Sequence, residues 1–288
     1  MAIPLFTGVC TALVTPFIDD KINYDMVQKL LQRQMDAGIE AVVVAGTTGE
    51  SPTLSDDEKI TLLRECKTYT KERCKIIVGT GSNNTSHSVE LSIAAEHAGA
   101  DALLVVSPYY NKASNDGICL HYKAICDAVS IPVIVYNVPT RTGLDIPISV
   151  YERLRSITNI VGVKEASADI TKIGKIINTC GPDFPIWTGN DDQIVPALSM
   201  GCKGVISVLS NVKPSQTKAI CDAAFREDFS AARKLQLEML PLINSLFSEV
   251  NPIPVKAAMK EIGYDCGKCR LPLCDLSIEK QEILKKVL

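Results

Sequence analysis

Short apolar segments rich in β-branched residues alternate along the chain with longer segments in which apolar residues recur every three or four positions. The first pattern is typical of buried strands and the second of helices with one buried face. The pattern predicts strands over 8–15, 41–45, 75–78, 102–106, 133–136, 160–164, 184–187 and 204–208. It predicts helices over 24–37, 55–70, 86–98, 121–129, 148–154, 169–178, 193–200 and 214–225, and Ser55 with Glu58 forms a capping box at the start of the second.

These segments form eight strand-then-helix units. Strict alternation indicates a parallel sheet covered by helices, and eight units close into a barrel, whereas an open doubly wound sheet usually has about five or six strands. No G-x-G-x-x-G sequence follows the first strand, which argues against a dinucleotide-binding fold. From about residue 231 the pattern is helical only. The sequence therefore predicts an α/β protein with a (β/α)8 TIM barrel as catalytic domain over 1–225 and a C-terminal helical region over 226–288 packed on the barrel.

Composition narrows the class of protein. The chain has 288 residues, of which 46% are hydrophobic and 22% charged, and its formal net charge is −3. No basic field attracts nucleic acid or an anionic membrane, and no apolar run reaches the length of a membrane span. The N-terminal segment lacks the basic region and the long apolar region of a secretory leader. We expect a cytoplasmic protein that binds neither nucleic acid nor membranes.

Eleven cysteines are distributed along the chain, mostly singly within apolar segments, where a reduced thiol behaves as a small hydrophobic group. Cys266, Cys269 and Cys274 cluster near the C-terminus. A zinc site usually has four ligands, and neither a fourth cysteine nor a histidine follows. We expect no metal there but a surface loop with reduced thiols, with a disulfide as the alternative.

Lys164 ends one of the predicted strands. Because alternate side chains of a strand share a face, Ile160, Gly162 and Lys164 are predicted to point one way and Val161 and Val163 the other. If Lys164 points into the fold, Gly162 beneath it leaves room for its stem. An ammonium on an apolar wall loses solvation, so its pKa falls and it becomes a nucleophile toward carbonyls. The alternative is a strand-end lysine whose head group reaches water.

Polar residues follow other strands at the same end of the predicted barrel, which is the end that carries active sites in this fold. The second strand leads into the sequence GTTGES over 46–51, and the fourth into Tyr109 and Tyr110. The fifth ends on Tyr136 and leads to Arg141. A lysine that forms a Schiff base, a tyrosine that moves protons and an arginine that binds a carboxylate together make a coherent site.

Two other kinds of site are disfavoured. The three histidines, His87, His97 and His121, fall in predicted helices or in the turns leading into them, away from the strand ends, so histidine acid–base catalysis is not expected. The sequence TGNDD over 188–192 follows the seventh strand, where a phosphate-binding barrel usually has a glycine-rich loop. Its acidic residues would repel phosphate.

Seven motifs, GTTGES, PYYN, YNVPTRTG, GVKEAS, TGNDD, GVISV and NPIPVK, occur in this order and spacing and together resemble the dihydrodipicolinate synthase family. The resemblance covers the chain almost end to end. The family belongs to a group of pyruvate-dependent class I aldolases that includes N-acetylneuraminate lyase, and its fold is a (β/α)8 barrel with C-terminal helices. The resemblance implies a lyase that condenses pyruvate with L-aspartate semialdehyde to 4-hydroxy-tetrahydrodipicolinate, the first committed step of diaminopimelate and lysine biosynthesis. It implies no cofactor beyond the covalent imine with pyruvate.

The resemblance also implies catalytic roles for four residues. Lys164 would form the Schiff base with pyruvate, and Tyr136 would be the general acid and base. Thr47 would partner Tyr136 in a proton relay. Tyr110 would be the relay tyrosine that reaches into the active site of a neighbouring subunit.

Four further residues are implied in substrate binding. Thr48 and the backbone at Ile206 would hold pyruvate, with Gly189 close by. Arg141 would bind the carboxylate of L-aspartate semialdehyde at the mouth of the barrel. The iminium would act as an electron sink for loss of a methyl proton, and the resulting enamine would attack the aldehyde.

Two other functions stay open as alternatives. Sialic-acid and keto-deoxy-sugar acid lyases of the same group resemble the chain at the lysine and the tyrosine, but they typically have serine at the position of Thr47 and no arginine at that of Arg141. A non-catalytic keto-acid binder would keep the barrel and lose turnover. Every matched catalytic position is occupied here, which favours the synthase.

Assembly and regulation follow from the resemblance as well. The family usually forms a homotetramer of two tight dimers, although some members stop at the dimer, so we expect a homo-oligomer and most often a tetramer.

Lysine-sensitive members bind the inhibitor at the dimer interface, near positions that are compatible here: Ser51, Asn83 and Tyr109. They typically have histidine where this chain has Lys59, and an acidic residue or histidine at His87. Because Lys59 adds a like charge that Asp56 offsets only in part, we expect no meaningful inhibition by millimolar lysine.

Overall fold

A computed structural model describes residues 4–288 of the chain. Residues 1–3, which open the N-terminal segment and the predicted domain 1–225, lie outside the described residues. Ten strands are present: β1 Gly8–Ala12, β2 Phe17–Ile18, β3 Lys21–Ile22, β4 Ala41–Val44, β5 Lys75–Gly79, β6 Ala102–Val106, β7 Val133–Asn137, β8 Ile160–Glu165, β9 Ile186–Thr188 and β10 Gly204–Ser207. Eight of them close a barrel in the order β1-β10-β9-β8-β7-β6-β5-β4, with every neighbouring pair parallel. The prediction of a (β/α)8 barrel is confirmed.

Helices connect the barrel strands and continue beyond them. Their bounds are α1 Tyr24–Asp36, α2 Asp56–Thr70, α3 Thr85–His97, α4 Asn115–Ala128, α5 Pro139–Thr142, α6 Ile148–Leu154, α7 Ile170–Cys180, α8 Ile194–Ser199, α9 Leu209–Val212, α10 Pro214–Phe225, α11 Phe229–Leu246, α12 Ile253–Glu261 and α13 Ile278–Lys285. Short 3-10 turns occupy Ser51–Thr53 and Asp191–Gln193. The predicted capping box of α2 is present, because the Ser55 side chain accepts from the Glu58 N–H and the Glu58 carboxylate accepts from the Ser55 N–H.

Two apolar clusters pack on the two faces of the barrel wall. Along β4, Ala41 and Val43 belong to the inner cluster and Val42 and Val44 to the outer one, as the period of a strand requires. The outer cluster packs the strands against the surrounding helices. The inner cluster includes Trp187, whose ring stacks on that of Phe6 with the centroids 4.7 Å apart, so large aromatic groups fill part of the interior.

An irregularity in β8 changes the predicted orientation of its first residues. Val133 of β7 pairs with Ile160, but the next residue of β7 pairs with Gly162, so Val161 is an extra residue in β8. Ile160 lies in the outer cluster with Val163, and Val161 packs against the inner one. The prediction that Ile160 shares the face of Lys164 is therefore wrong, because a bulge breaks the period of two.

The ends of several elements differ from the sequence prediction. Helix α4 begins at Asn115, six residues before the predicted start, because Ser114 caps it by accepting from the Gly117 N–H. The first residues of α4, Asn115, Asp116 and Gly117, are not apolar, so the helical pattern of apolar residues cannot be recognised there. Strand β1 ends at Ala12, and the hairpin β2–β3 follows. The short helices α5 and α9 lie in loops that carry no helical period.

The C-terminal helices are joined to the barrel by polar contacts. Gln236 of α11 donates to the backbone oxygen of Asp191 at 2.8 Å. Arg270 donates to the carboxylate of Glu58 on α2 at 2.6 and 2.8 Å. The division of the chain at residue 225 stays a prediction. In the part of the chain that is described, no helix is both long enough and apolar enough to cross a membrane.

Candidate active site

Lys164 lies on the inner face of β8, one residue before the strand ends. In the register of the sheet its neighbours are Tyr136 of β7 and Trp187 of β9. The side chain is 6% exposed, and its Nζ lies 4.5 Å from the centroid of the Tyr136 ring. The alternative of a lysine that reaches into open water does not hold. The ammonium is close to the electron-rich face of a tyrosine inside the barrel mouth.

Gly189, rather than Gly162, makes room for the stem of Lys164. A Cβ atom added to Gly189 would lie 2.9 Å from Cε of Lys164. A Cβ atom added to Gly162 would instead lie 2.3 Å from the carbonyl oxygen of Pro185 and 2.9 Å from the ring of Trp187. Gly162 therefore accommodates the neighbouring strand, and the space for the lysine comes from the start of the loop that follows β9.

Tyr136 is 6% exposed and faces a cavity of about 430 Å³ at the C-terminal ends of the strands. Of the predicted site residues, the cavity is lined by Thr47, Tyr136 and Arg141. The cavity is also lined by Lys59 and His87. His87 was expected to lie away from the strand ends, and this is wrong, because α3 carries it to the wall of the cavity.

The GTTGES loop places two adjacent threonines differently. Thr47 lines the cavity, whereas Thr48 is 3% exposed. The Thr48 Oγ1 accepts a hydrogen bond from Nδ2 of Asn251 at 2.9 Å. Glu50 adopts a left-handed backbone conformation with φ 58° and is 2% exposed. Thr47 therefore lines the cavity, whereas Thr48 and Glu50 are buried residues of the same turn.

Ile206 lies on β10, fully buried within the inner cluster. The backbone that follows it is fixed by Asp191, whose Oδ2 accepts from the N–H groups of Val208 at 2.9 Å and Leu209 at 2.8 Å. Burial raises the pKa of the Asp191 carboxyl above its usual value, although these hydrogen bonds act in the opposite direction. The sequence interpretation treated Asp191 as a charge that repels anions, whereas its carboxylate caps the turn after β10.

Arg141 lies on the short helix α5 at the mouth of the barrel, where it lines the cavity. Its Nη2 donates to the backbone oxygen of Asn251 at 3.1 Å. The guanidinium is thereby held by the C-terminal region, and within residues 4–288 its other N–H groups make no hydrogen bond. An arginine with free donors at a cavity mouth can bind a carboxylate in a bidentate fashion.

Tyr110 does not join the other site residues of its own chain. It is 91% exposed, has a left-handed backbone with φ 69°, and does not line the cavity. Its neighbour Tyr109 lines the cavity instead. A side chain displayed so fully is accessible to a second molecule, and the role of Tyr110 in a neighbouring subunit stays a prediction.

A buried polar network next to Tyr136 and Lys164 was missed from the sequence. Glu165 accepts from Asn137 Nδ2 at 2.9 Å and from the Tyr151 hydroxyl at 3.0 Å. Asn137 also donates to Asp145, which pairs with Lys172. Burial and the nearby Glu165 raise the pKa of Tyr151 well above its usual value, so the phenol stays protonated. Because Asn137 and Glu165 directly follow Tyr136 and Lys164, the network fixes the strand ends that carry them.

The C-terminal cysteines are unpaired thiols in different environments. Cys266 is buried, Cys269 is half-buried and Cys274 is exposed. Burial raises the pKa of the Cys266 thiol to about 12. The expected surface loop is therefore only partly correct, since Cys266 belongs to the outer apolar cluster. Among residues 4–288 no group of three or more histidine, cysteine, aspartate or glutamate side chains is arranged to hold a metal ion.

Comparison with known proteins gives one consistent result. Residues 5–288 match the model of the dihydrodipicolinate synthetase family. The 4-hydroxy-tetrahydrodipicolinate synthase of Acetivibrio thermocellus is 46% identical over 285 residues, covering 99% of this chain and 97% of its own.

Solved structures agree with the sequence comparison. A dihydrodipicolinate synthase from Bacillus anthracis is 40% identical and superimposes with a TM-score of 0.95, covering 98% of this chain and 97% of its own. A chloride-inhibited synthase from Acinetobacter baumannii, solved in complex with pyruvate, is 38% identical with a TM-score of 0.96, covering 98% of this chain and 97% of its own.

Proposed function

The chain belongs to the dihydrodipicolinate synthetase family, and we propose that Lys164 forms the covalent imine in its reaction. That reaction is the condensation of pyruvate with L-aspartate semialdehyde to 4-hydroxy-tetrahydrodipicolinate in diaminopimelate and lysine biosynthesis. The chain is accordingly a lyase of the class I aldolase type. We place it in the cytoplasm, where amino-acid biosynthesis supplies its substrates.

One observation carries the assignment of Lys164. Its ammonium is nearly buried at a strand end and has no carboxylate partner among the described residues, while the Tyr136 ring lies 4.5 Å from Nζ. A lysine side chain held inside the barrel beside a tyrosine, and not bound in a salt bridge, is available to attack the carbonyl of a bound keto acid. The amine adds to C2 of pyruvate and water leaves, giving the iminium, with no cofactor required.

The remaining catalytic steps need a group that moves protons, and we assign this role to Tyr136. The iminium withdraws electrons, so a proton passes from the methyl group of pyruvate to the relay that contains Tyr136, and an enamine forms. The enamine carbon attacks the aldehyde, and the new alkoxide takes a proton from Tyr136. The amino group of the semialdehyde part then attacks C2, which closes the ring and releases Lys164.

Thr47 and Tyr110 complete the proton relay in this proposal. Thr47 lines the same cavity as Tyr136. Tyr110 is displayed on the surface of its own chain, so we propose that a second copy receives it and that the working enzyme is a homo-oligomer, most often a tetramer formed as a dimer of dimers.

Substrate binding is divided between two parts of the mouth. We assign the pyruvate part to the Thr48 hydroxyl and the backbone at Ile206, beside Gly189, which leaves the space next to Lys164. The carboxylate of L-aspartate semialdehyde binds Arg141 at the entrance. Thr47 together with Arg141 favours this substrate pair over sialic acid or a keto-deoxy-sugar acid.

A coupled assay separates the alternatives in one step. We expect turnover with pyruvate and L-aspartate semialdehyde, and no cleavage of N-acetylneuraminate under the same conditions. Cleavage of the sugar acid alone would assign the chain to the lyases of the wider group. Pyruvate binding without turnover of either substrate would mark a non-catalytic binder.

A further inference from the structure

Asn251 contacts both residues that are proposed to hold substrate carboxylates, although it lies outside the barrel strands. Its Nδ2 donates to Oγ1 of Thr48 at 2.9 Å, and its backbone oxygen accepts from Nη2 of Arg141 at 3.1 Å. Asn251 is 6% exposed, so these contacts are shielded from water. The C-terminal region therefore supplies a residue directly behind the substrate-binding face of the mouth.

The hydrogen bond to Thr48 has a direction, and that direction matters. A hydroxyl group has one hydrogen and two acceptor sites. The amide of Asn251 donates to one acceptor site, so it cannot take the hydrogen of Thr48. Within residues 4–288 no other side chain or backbone group bonds to Oγ1 of Thr48. The hydroxyl hydrogen is thus free to be donated to an anion in the site.

The segment that carries Asn251 is held in place by a second contact to the same loop. Lys256, on the first turns of α12, donates to Oε1 of Glu50 at 2.9 Å. The side chains of this pair are 3% and 0% exposed. Thr48 and Glu50 are therefore both tied to the C-terminal region, and Asn251 cannot drift away from Thr48 without breaking a buried ion pair.

We propose that Asn251 is a positioning residue that directs the O–H bond of Thr48 toward the carboxylate of pyruvate and so sets the affinity for this substrate. The inference rests on the proposed function, because it takes Thr48 as a pyruvate-binding residue. An oriented donor to a charged acceptor contributes more than a freely rotating one. Asn251 does not itself touch the reacting atoms.

Two substitutions separate this role from a packing role. Asn251→Asp keeps the shape but turns the donor into an acceptor, so Thr48 must donate its hydrogen away from the substrate. Asn251→Ala removes the group and leaves the Thr48 hydroxyl free to rotate. The Oδ1 of Asn251 is buried without a partner in the described chain, so the alanine variant loses a single side-chain hydrogen bond. If Asn251 acts by orienting the Thr48 hydroxyl, the aspartate variant should bind pyruvate less well than the alanine variant. If Asn251 acts only by packing, the alanine variant should be the weaker binder.

The measurement is the pyruvate concentration that half-saturates the borohydride-trapped imine, together with KM and kcat in the coupled assay. We expect Asn251→Asp to raise the half-saturating concentration about tenfold to a hundredfold, the effect of a lost hydrogen bond to a charged group. Asn251→Ala should raise it only several-fold, and kcat at saturating pyruvate should change less than KM in both. Asn244→Asp, an exposed position on α11, is the matched control and should behave as the unsubstituted protein.

The outcomes are distinguishable. An alanine effect equal to or larger than the aspartate effect, or both within twofold of the unsubstituted protein, overturns the inference. If Asn251→Asp does not fold, the Thr48→Val protein provides the test. In the Thr48→Val background, Asn251→Ala should not change the half-saturating pyruvate concentration any further. A change as large as that seen in the unsubstituted background overturns the inference. Absence of any pyruvate imine in the unsubstituted protein would instead refute the proposed function, and this inference with it.

Discussion

Lys164 and Lys256 are both almost fully buried lysines, but their surroundings differ. Lys256 donates to the Glu50 carboxylate and to the backbone oxygen of Lys268, each at 2.9 Å, and its Nζ lies 4.5 Å from the ring of Phe17. Lys164 has the Tyr136 ring at the same distance, but no carboxylate pairs with it in the described part of the chain. Both buried lysines make a cation–π contact, and a salt bridge to a carboxylate is what separates them.

Two other buried lysines follow the pattern of Lys256. Lys59 is 7% exposed and pairs with Asp56, and Lys172 is 6% exposed and pairs with Asp145. A buried charge is usually tolerated only with a partner, so the missing partner of Lys164 supports the proposal that its burial serves chemistry rather than stability. The same substitution at Lys164 and Lys256 should therefore affect different properties.

The largest expected effect is the loss of turnover in Lys164→Met. Without the amine no imine forms, so kcat/KM should fall by about 10³-fold or more. The free energy of unfolding should stay the same or rise, because an unpaired buried charge is replaced by an apolar group of similar length. Coupled kinetics and urea denaturation measure the two properties. Activity above a tenth of the unsubstituted level would break the comparison.

The second effect tests whether the site around Lys164 needs a residue from a second subunit, whereas the contacts of Lys256 lie within one chain. Tyr110→Phe should lower kcat by roughly 10²–10⁴, as expected for a lost proton-transfer group. Mixing Tyr110→Phe with Lys164→Met protein should then restore activity, because a hybrid dimer has one site with both residues. Tyr109→Phe is the matched control for the mixing. Hybrid dimers that form without regaining activity would show that the relay lies within one chain.

The third effect is on stability. Lys256→Met leaves the fully buried Glu50 carboxylate without its partner, so the free energy of unfolding should fall by about 3–5 kcal/mol. Replacing both partners, in Glu50→Gln/Lys256→Met, should recover part of the loss. Urea denaturation of the four proteins of this cycle provides the measurement. A double variant that is less stable than Lys256→Met would contradict the role assigned to the pair.

The smallest expected effect concerns lysine as an inhibitor, at the part of the cavity wall formed by Lys59 and His87. Asp56 pairs there with Lys59 at 3.3 Å and His87 at 2.7 Å, so both carboxylate oxygens are already engaged. Burial alone would raise the pKa of Asp56, but these two partners outweigh it and lower the pKa, so the acid stays ionised.

An incoming ammonium meets Lys59 and finds no free carboxylate there. This arrangement should weaken lysine binding by about 3 kcal/mol, or a hundredfold. A lysine titration of the coupled assay at neutral pH and constant ionic strength should show no meaningful inhibition at millimolar concentrations. Saturable inhibition with a midpoint below about 1 mM would contradict the expectation.

The sequence was sufficient for the barrel and for the strand-end residues, because both depend on local patterns. Hydrophobic alternation locates β7 and β8, and the end of each strand then identifies Tyr136 and Lys164. The same reasoning misplaced Ile160, because the bulge in β8 shifts the period and cannot be seen in a single strand. It assigned the space beside Lys164 to Gly162, because the contact with Gly189 comes from the loop that follows β9 and leaves no trace in the sequence of β8.

The contacts behind the site could not be predicted for a different reason. Asn251 lies 203 residues from Thr48 along the chain, and Lys256 lies 206 residues from Glu50. No local pattern reports a contact between positions so far apart. The NPIPVK motif, which contains both residues, contributed to the resemblance, but the sequence alone assigned no role to it. Its function emerges only when the C-terminal helices are packed on the barrel mouth.

The central claim is that the unpaired buried lysine forms the imine, and peptide mapping after reduction tests it most directly. The protein is treated with borohydride in the presence of pyruvate, digested and analysed by mass spectrometry, with Lys256→Met and Lys164→Met proteins in parallel. The reduced pyruvate adduct should lie on the peptide that carries Lys164, persist in folded Lys256→Met, and be absent from Lys164→Met. An adduct on any other lysine, with Lys164 unmodified, would contradict the account.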